Sequence, residues 1–209
     1  MWIKGIVLTI AATLLLGHGI PAAAVAVSPT EAIKNSIDRI VSILNDPAFA
    51  APDRKATQRQ KIWEVARPMF DFDEISRRTI GTDWQRFKPE EKKKFADVFA
   101  RFLGNTYIDK LQSEYQNEQV SFDSELVRDT QALVRTQLLR QGTQIPIDYR
   151  MKFEQGEWKI YDILVENGIS LVKNYRVQFQ SALQKETPAQ LIERLQKRLD
   201  EPGSGYVGD

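Results

Sequence analysis

Four consecutive segments between residues 118 and 166 alternate apolar and polar side chains with a period of two. The clearest is 145–153, where apolar or aromatic side chains occupy the odd positions and a proline and three charged residues the even ones. This alternation is typical of antiparallel strands with one buried face. Short turn signals separate the segments, which favours a meander of neighbouring strands. The turn signals are Arg128-Asp129, Gln141-Gly142 and Gln155-Gly156.

Apolar residues at helical spacing flank this block on both sides. Helices before and after a block of strands imply an α+β fold, in which several helices pack against a curved antiparallel β-sheet of about four strands. The predicted helices are 28–46, a run through 62–69, 71–81, 88–115, 169–185 and 187–199.

The N-terminus predicts a signal peptide over residues 1–26. One positive charge at Lys4 precedes an uncharged apolar run over 5–17, and the small residues that follow fit cleavage near 24 or 26. The apolar run is shorter than the roughly 20 residues that a spanning helix needs. We therefore expect an exported protein with a single domain over 27–200 and a flexible tail over 201–209.

The composition excludes several classes of function. The chain has no cysteine, and its one histidine, His18, lies in the predicted signal peptide. A mature protein without either residue has no Ser-His-Asp or Cys-His system and no zinc site of the usual ligands. Removal of Lys4 lowers Lys+Arg from 29 to 28, equal to the 28 Asp+Glu, and this balance argues against a nucleic-acid binder.

Carboxylates are the remaining candidates for catalysis. The cluster at 71–74 (DFDE) is explained by helix capping. Asp162 interrupts a predicted strand between Tyr161 and Ile163, and a buried carboxylate there needs a hydrogen-bond or ion-pair partner. A structural role for Asp162 is favoured over catalysis, and we predict no catalytic residue, metal site or cofactor.

The helix predicted over 169–185 is amphipathic. Leu171, Val172, Tyr175 and Phe179 fall on one face. Periodicity alone leaves two interpretations open, because a stripe that closes an ordinary core and one that lines a ligand cavity have the same pattern.

Residues 157–183, EWKIYDILVENGISLVKNYRVQFQSAL, carry a more specific resemblance. They resemble the signature of the MlaC family of periplasmic phospholipid-binding proteins, also called toluene-tolerance auxiliary transport proteins. Residues 70–111 resemble an earlier segment of the same family, with its G-x-x-W and F-x-x-x-F spacings. The chain departs from the family pattern at Asn167, an extra residue in the turn, and in the tail after Glu186. The matching signature residues are Trp158, Tyr161-Asp162-Ile163, Glu166, Gly168 to Val172, Tyr175-Arg176 and Phe179.

The resemblance implies a soluble periplasmic carrier that holds phospholipid acyl chains in an apolar cavity between sheet and helices, with the headgroup toward solvent. Such a carrier shuttles lipid between the outer and inner membranes and maintains outer-membrane lipid asymmetry. Its partners are an inner-membrane ABC transporter complex with its lipid-binding membrane subunit and an outer-membrane lipoprotein. Nucleic acid is not among them.

On this interpretation, apolar side chains from three elements line the cavity. Arg176 lies either near a headgroup phosphate or in a pair with a carboxylate such as Asp162, and both residues are structural polar candidates. The cavity-lining candidates are Phe99, Leu103, Tyr107 and Leu111 of the long helix, Ile147, Tyr149 and Met151 of the sheet, and Leu171, Val172 and Tyr175 of the closing helix.

Three alternatives remain open from sequence. The cargo is a hopanoid or another apolar lipid, the protein is an interaction module with a solid core, or the chain is an enzyme on a related cone-shaped α+β scaffold.

Overall fold

The computed structural model describes residues 27–166 and 168–200. The predicted signal peptide, the predicted tail and Asn167 lie outside these residues. The order of helices, sheet and helices confirms the predicted α+β class. The helices are α1 (Pro29–Leu44), α2 (Lys55–Ala66), α3 (Phe72–Ile80), α4 (Pro89–Glu114), α5 (Leu171–Leu183) and α6 (Pro188–Asp200). The strands are β1 (Gln119–Arg128), β2 (Gln131–Arg140), β3 (Thr143–Glu154), β4 (Glu157–Val165) and β5 (Ile169–Ser170).

Local sequence sets the starts of the helices. The Ser28 side chain accepts a hydrogen bond from the Glu31 N–H, and the Glu31 carboxylate accepts one from the Ser28 N–H, so the two residues cap α1 reciprocally. Asp71 caps α3 by accepting from the Glu74 N–H at 2.9 Å. Pro89 is the first residue of α4, where its missing N–H costs no helical hydrogen bond.

The sheet is an antiparallel meander in the order β1-β2-β3-β4-β5. Its β2–β3 and β3–β4 turns use positive φ angles, which tight hairpins require. Gln141 and Gly142 have φ of 49° and 81°, and Gln155 and Gly156 have 52° and 85°. These are two of the turns that the sequence predicts.

The sheet has one strand more than the four predicted. Glu166 and Gly168 adopt positive φ angles, 39° and 80°, and turn the chain back along β4. Ile169 and Ser170 then pair with Val165 and Leu164 before α5 begins. Periodicity does not reveal a two-residue strand, because the pattern predicts a helix from residue 169.

The apolar side chains form two separate clusters. The larger, which we call the helical core, joins α3, α4, α5 and α6 around Phe95, Phe99 and Phe179. The smaller, which we call the sheet core, joins α1 to β2, β3 and β4 around Ile33 and Met151. Helix α4 packs chiefly on α6, α3 and α2 rather than on the sheet. In the part of the chain that the structure describes, we find no helix with the length and hydropathy of a membrane span.

Gly104 lies in the interior of α4, which is one unbroken helix. Its Cα faces the indole of Trp63, and a Cβ built on Gly104 would lie 2.5 Å and 2.8 Å from two ring carbons. The glycine therefore permits close approach of α2 and α4.

We expect Gly104→Ala to lower the free energy of unfolding. The overpacking cost of about 1–3 kcal/mol exceeds the gain in helix propensity, which is at most about 1 kcal/mol. Chemical denaturation measures the difference, with Arg101→Ala on the exposed side of α4 as a control. Truncation of the indole by Trp63→Leu removes the clash, so Gly104→Ala in that background is expected to be neutral or stabilising. A single Gly104→Ala variant more stable than the parent contradicts this account.

Candidate functional site

The sheet presents a continuous apolar surface to α1, which we call the inner face. The antiparallel register places Tyr149 of β3 opposite Val134 of β2 and Ile163 of β4, and neighbouring pairs repeat this alternation. The inner face includes Ala132, Val134, Thr136 and Leu138 of β2, Ile145, Ile147, Tyr149 and Met151 of β3, and Ile160, Ile163 and Val165 of β4.

Helix α1 covers one end of the inner face. Ile33 is fully buried in the sheet core, and Ile37 packs against that core while only half-buried. Ile40 and Leu44 lie on the same side of α1 by helical spacing, and both are half-buried. The apolar stripe of α1 therefore keeps accessible surface beyond its first two turns.

Burial of the inner face decreases along the strands. Met151 and Ile160, near the β3–β4 turn, are each 1% exposed. Ile147 and Ile163 are half-buried, and Val165, at the other end of β4, is 37% exposed. Apolar side chains at this end of the sheet remain available to a ligand.

A pocket of about 450 Å³ lies between α1, α2 and the β3–β4 hairpin. Its volume is within the range of roughly 300–1,000 Å³ typical of small-molecule sites. Polar residues at its edge are Asn35, Ser36 and Arg39 of α1 and Glu157 and Lys159 of β4. Its apolar lining is Val27, Ala32, Ile33, Val65, Pro68, Met69, Met151, Trp158 and Ile160.

A larger groove of about 1180 Å³ lies on the outer side of the same hairpin, between it, α3 and α4. Most of its lining is charged, which disfavours acyl chains despite the greater volume. Lys159 separates the groove from the pocket, because its Nζ donates to the Pro68 carbonyl at 2.7 Å and pairs with Glu157.

Asp162 is a buried carboxylate, 5% exposed, that joins three elements. It accepts hydrogen bonds from the Ser170 hydroxyl at 2.7 Å, the Val172 N–H at 3.1 Å and Arg150 Nη1 at 3.3 Å. Ser170 in turn caps α5 by accepting from the Lys173 N–H. Asp162 therefore fixes the start of α5 against β3 and β4.

Arg176 does not provide the cation for Asp162. Its Nε donates to the Arg78 carbonyl at 2.7 Å and ties α5 to α3, whereas Arg150 pairs with Asp162. The suggested Asp162–Arg176 pair is wrong because Arg150 lies directly opposite Asp162 in the β3–β4 register. Within residues 27–166 and 168–200, acidic and histidine side chains form no cluster suited to a metal ion.

Comparison with known proteins identifies the family. The model of the MlaC protein family matches residues 34–197. This chain belongs to the MlaC family. A solved structure of the phospholipid-binding protein from Ralstonia solanacearum in complex with a phospholipid is similar to the chain, with a TM-score of 0.68 and 23% sequence identity. The match covers 81% of this chain and 97% of that one. A search of curated proteins found no match.

The MlaC fold places the ten predicted cavity residues in three environments. Phe99, Leu103, Val172 and Tyr175 are buried in the helical core, with Leu171 at its edge. Tyr149 and Met151 belong to the sheet core, and Ile147 lies on the same inner face. On α4, Leu111 is half-buried and Tyr107 is 44% exposed. Lipid contact stays a prediction for all ten residues. The fold brings five of them together in the helical core and the three sheet residues together on the inner face.

Tyr149 brings a polar group into the apolar inner face. Burial raises the pKa of its phenol to about 12, and the Thr136 hydroxyl partly opposes this shift. Thr136 is fully buried and donates to the Ile147 carbonyl at 2.7 Å. Tyr149 itself is half-buried, so part of it is accessible on the inner face, whereas Thr136 is not.

Sequence reasoning missed the contribution of α1 and α2 to this site. Ile33 and Ile37 belong to the apolar pattern of one predicted helix, and Val65 and Met69 belong to that of a second. No local signal tells which helix covers the sheet, since that depends on tertiary packing. Seven of the ten predicted cavity residues lie instead on α4 and α5, whose apolar stripes close the helical core.

We expect Asp162→Asn to lower the free energy of unfolding by about 1–3 kcal/mol, because the amide leaves a buried donor without its acceptor. Chemical denaturation checks this value. Asp148→Asn is the matched control, since Asp148 lies in the same sheet but forms only a long ion pair. Its carboxylate is 3.8 Å from Nε of Arg135, and both side chains are partly exposed. Equal stability of Asp162→Asn and the parent rules out the structural role.

A second expectation concerns the ionisation of Tyr149. Its folded-state pKa of about 12 exceeds the value of about 10 in an unfolded chain. The protonated phenol therefore contributes stability that is present below about pH 10 and is lost as the pH rises through the folded pKa. Phenolate absorbance during alkaline titration is expected to show a late transition that Tyr149→Phe lacks. Superimposable normalised curves for the two proteins contradict this assignment.

Proposed function

We propose that this MlaC family protein is a periplasmic phospholipid carrier that binds acyl chains against the inner face of the sheet. The single observation that carries the proposal is an apolar sheet surface covered at one end by α1 and progressively exposed from Met151 to Val165. The phospholipid bound to the similarly folded Ralstonia solanacearum protein supports the choice of ligand.

The energetics suit a carrier. Withdrawal of acyl chains from water gains about 0.8 kcal/mol per CH₂ group, or roughly 25 kcal/mol for two chains of about sixteen carbons. A bilayer offers nearly the same gain, so exchange between membrane and protein is close to balance. Contacts with docking partners then determine the direction of transfer, since only differential interactions shift an equilibrium.

The proposed partners are an inner-membrane ABC transporter complex with its lipid-binding membrane subunit and an outer-membrane lipoprotein. Together with the carrier, they move lipid between the outer and inner membranes and maintain the lipid asymmetry of the outer membrane. Family membership and the predicted signal peptide support this assignment.

We propose binding rather than catalysis. Asp162, the carboxylate that interrupts a strand, accepts three hydrogen bonds and is buried away from the pocket lining. The Glu74 carboxylate forms ion pairs with Arg77 and Arg78, and hydrogen bonds from the two arginines hold its pKa below the usual value. Both carboxylates thus have structural partners.

Lipid extraction from protein purified from the periplasm tests the proposal. We expect mass spectrometry to recover diacyl phospholipid in near-stoichiometric amount from the parent protein. Ile163→Asn places an amide on the inner face and is expected to reduce the recovered lipid several-fold. Leu164→Asn is the matched control, because it changes the adjacent half-buried residue on the opposite face of β4.

Thermal unfolding of both variants confirms that they fold before lipid is compared. Recovery of hopanoid without phospholipid, or of no lipid from the folded parent protein, refutes the proposed function. Equal lipid in Ile163→Asn and Leu164→Asn refutes the assignment of the inner face.

A further inference from the structure

The 450 Å³ pocket has a polar edge that the binding of acyl chains does not explain. Ala32, Asn35, Ser36 and Arg39 all line it and follow the spacing i, i+3, i+4, i+7 along one side of α1. This stripe runs beside the apolar stripe that covers the sheet core. At 1.5 Å per residue, Arg39 lies about 10 Å along the helix axis from Ala32.

Arg39 is the cation at this edge that remains available to a ligand. Its side chain is exposed, and among the described residues it has no ion pair or hydrogen-bond partner. The second cation, Lys159, is held by Glu157 and by the Pro68 carbonyl. An incoming anion therefore finds its counter-charge at Arg39.

The volume of the pocket restricts the apolar part of the ligand. About 450 Å³ is in the lower half of the range for pockets that take a single small molecule. The apolar lining that stays accessible to a ligand includes Val27, Ala32, Met69 and Trp158, and Ile33, Met151 and Ile160 are buried behind it. One acyl chain suits such a space better than two.

We propose that this pocket binds a single acyl chain attached to an anionic group, and that Arg39 selects for the anion. The shared chemistry covers the carboxylate of a fatty acid and the phosphate of a single-chain phospholipid. The inference rests on the proposed function, since it assigns a second, single-chain ligand to a pocket beside the inner face of the same lipid-binding protein.

Isothermal titration calorimetry with three twelve-carbon probes tests the inference. Laurate and dodecyl phosphate represent the two anionic sources, and 1-lauroylglycerol is the neutral probe. We expect both anions to bind the delipidated protein more tightly than the neutral probe does. If laurate binds and dodecyl phosphate does not, the anionic group of the ligand is a carboxylate. If only dodecyl phosphate binds, the anionic group is a phosphate.

Three variants separate the roles of charge and volume. Arg39→Gln is expected to weaken binding of the anionic probes about 2- to 5-fold, the size typical of an exposed ion pair, and to leave the neutral probe unchanged. Ala32→Leu fills the pocket with a good helix former and is expected to weaken all three probes. Lys34→Gln, a change of charge on α1 outside the pocket lining, is the matched control.

The charge preference is overturned if Arg39→Gln binds laurate and dodecyl phosphate as tightly as Lys34→Gln does. The pocket assignment is overturned if folded Ala32→Leu binds all probes like the parent. If the purified protein carries diacyl phospholipid but binds none of the probes, this inference fails while the proposed function stands. If the probes bind but the purified protein carries no phospholipid, the proposed function fails while the pocket assignment stands.

Discussion

The packing of a single helix, α1, on the inner face of the sheet is the contact on which the proposed site depends. Helices α3, α4, α5 and α6 bury their apolar stripes against one another, and Phe95, Phe99 and Phe179 form the centre of that core. The sheet is left with one helix of 16 residues as its main cover on this face. Ile33 and Ile37 contact only part of the sheet, whose strand β2 is ten residues long. Apolar surface of the sheet therefore remains uncovered beyond α1.

This division gives the two apolar clusters different roles. The helical core is stabilised by dense ring contacts, such as Phe99 with Tyr175 at 5.2 Å between centroids. Opening such a core to admit lipid costs the burial of several aromatic side chains, each worth a few kcal/mol. The sheet core is smaller, and part of its edge is already exposed. A ligand there therefore buries exposed apolar surface without displacing side chains that are packed together. The two clusters meet at Phe70, which packs against both, and Asp162 fixes the start of α5 to β4.

Much of the fold is predictable from sequence because its signals are local. The helix starts at Ser28 and Pro89 and the turns at Gln141-Gly142 and Gln155-Gly156 depend on neighbouring residues alone. The site was less predictable. Periodicity identifies which side of a helix is apolar, but it does not identify the surface that this side meets.

The partner of Asp162 was likewise not predictable from sequence. The burial of Asp162 and its need for a partner followed from the strand pattern, whereas its cation partner did not. The partner is Arg150, set by a register that includes a bulge between Arg150 and Met151. Sequence patterns do not contain that register, because it arises only when the strands pair.

Isotope-edited nuclear Overhauser contacts between bound lipid and protein test the central claim most directly. With phospholipid labelled in its acyl chains, the account predicts contacts to Ile147, the Tyr149 ring and Ile163, half-buried residues of the inner face. Contacts confined to Phe99, Tyr175 and other members of the helical core would contradict it.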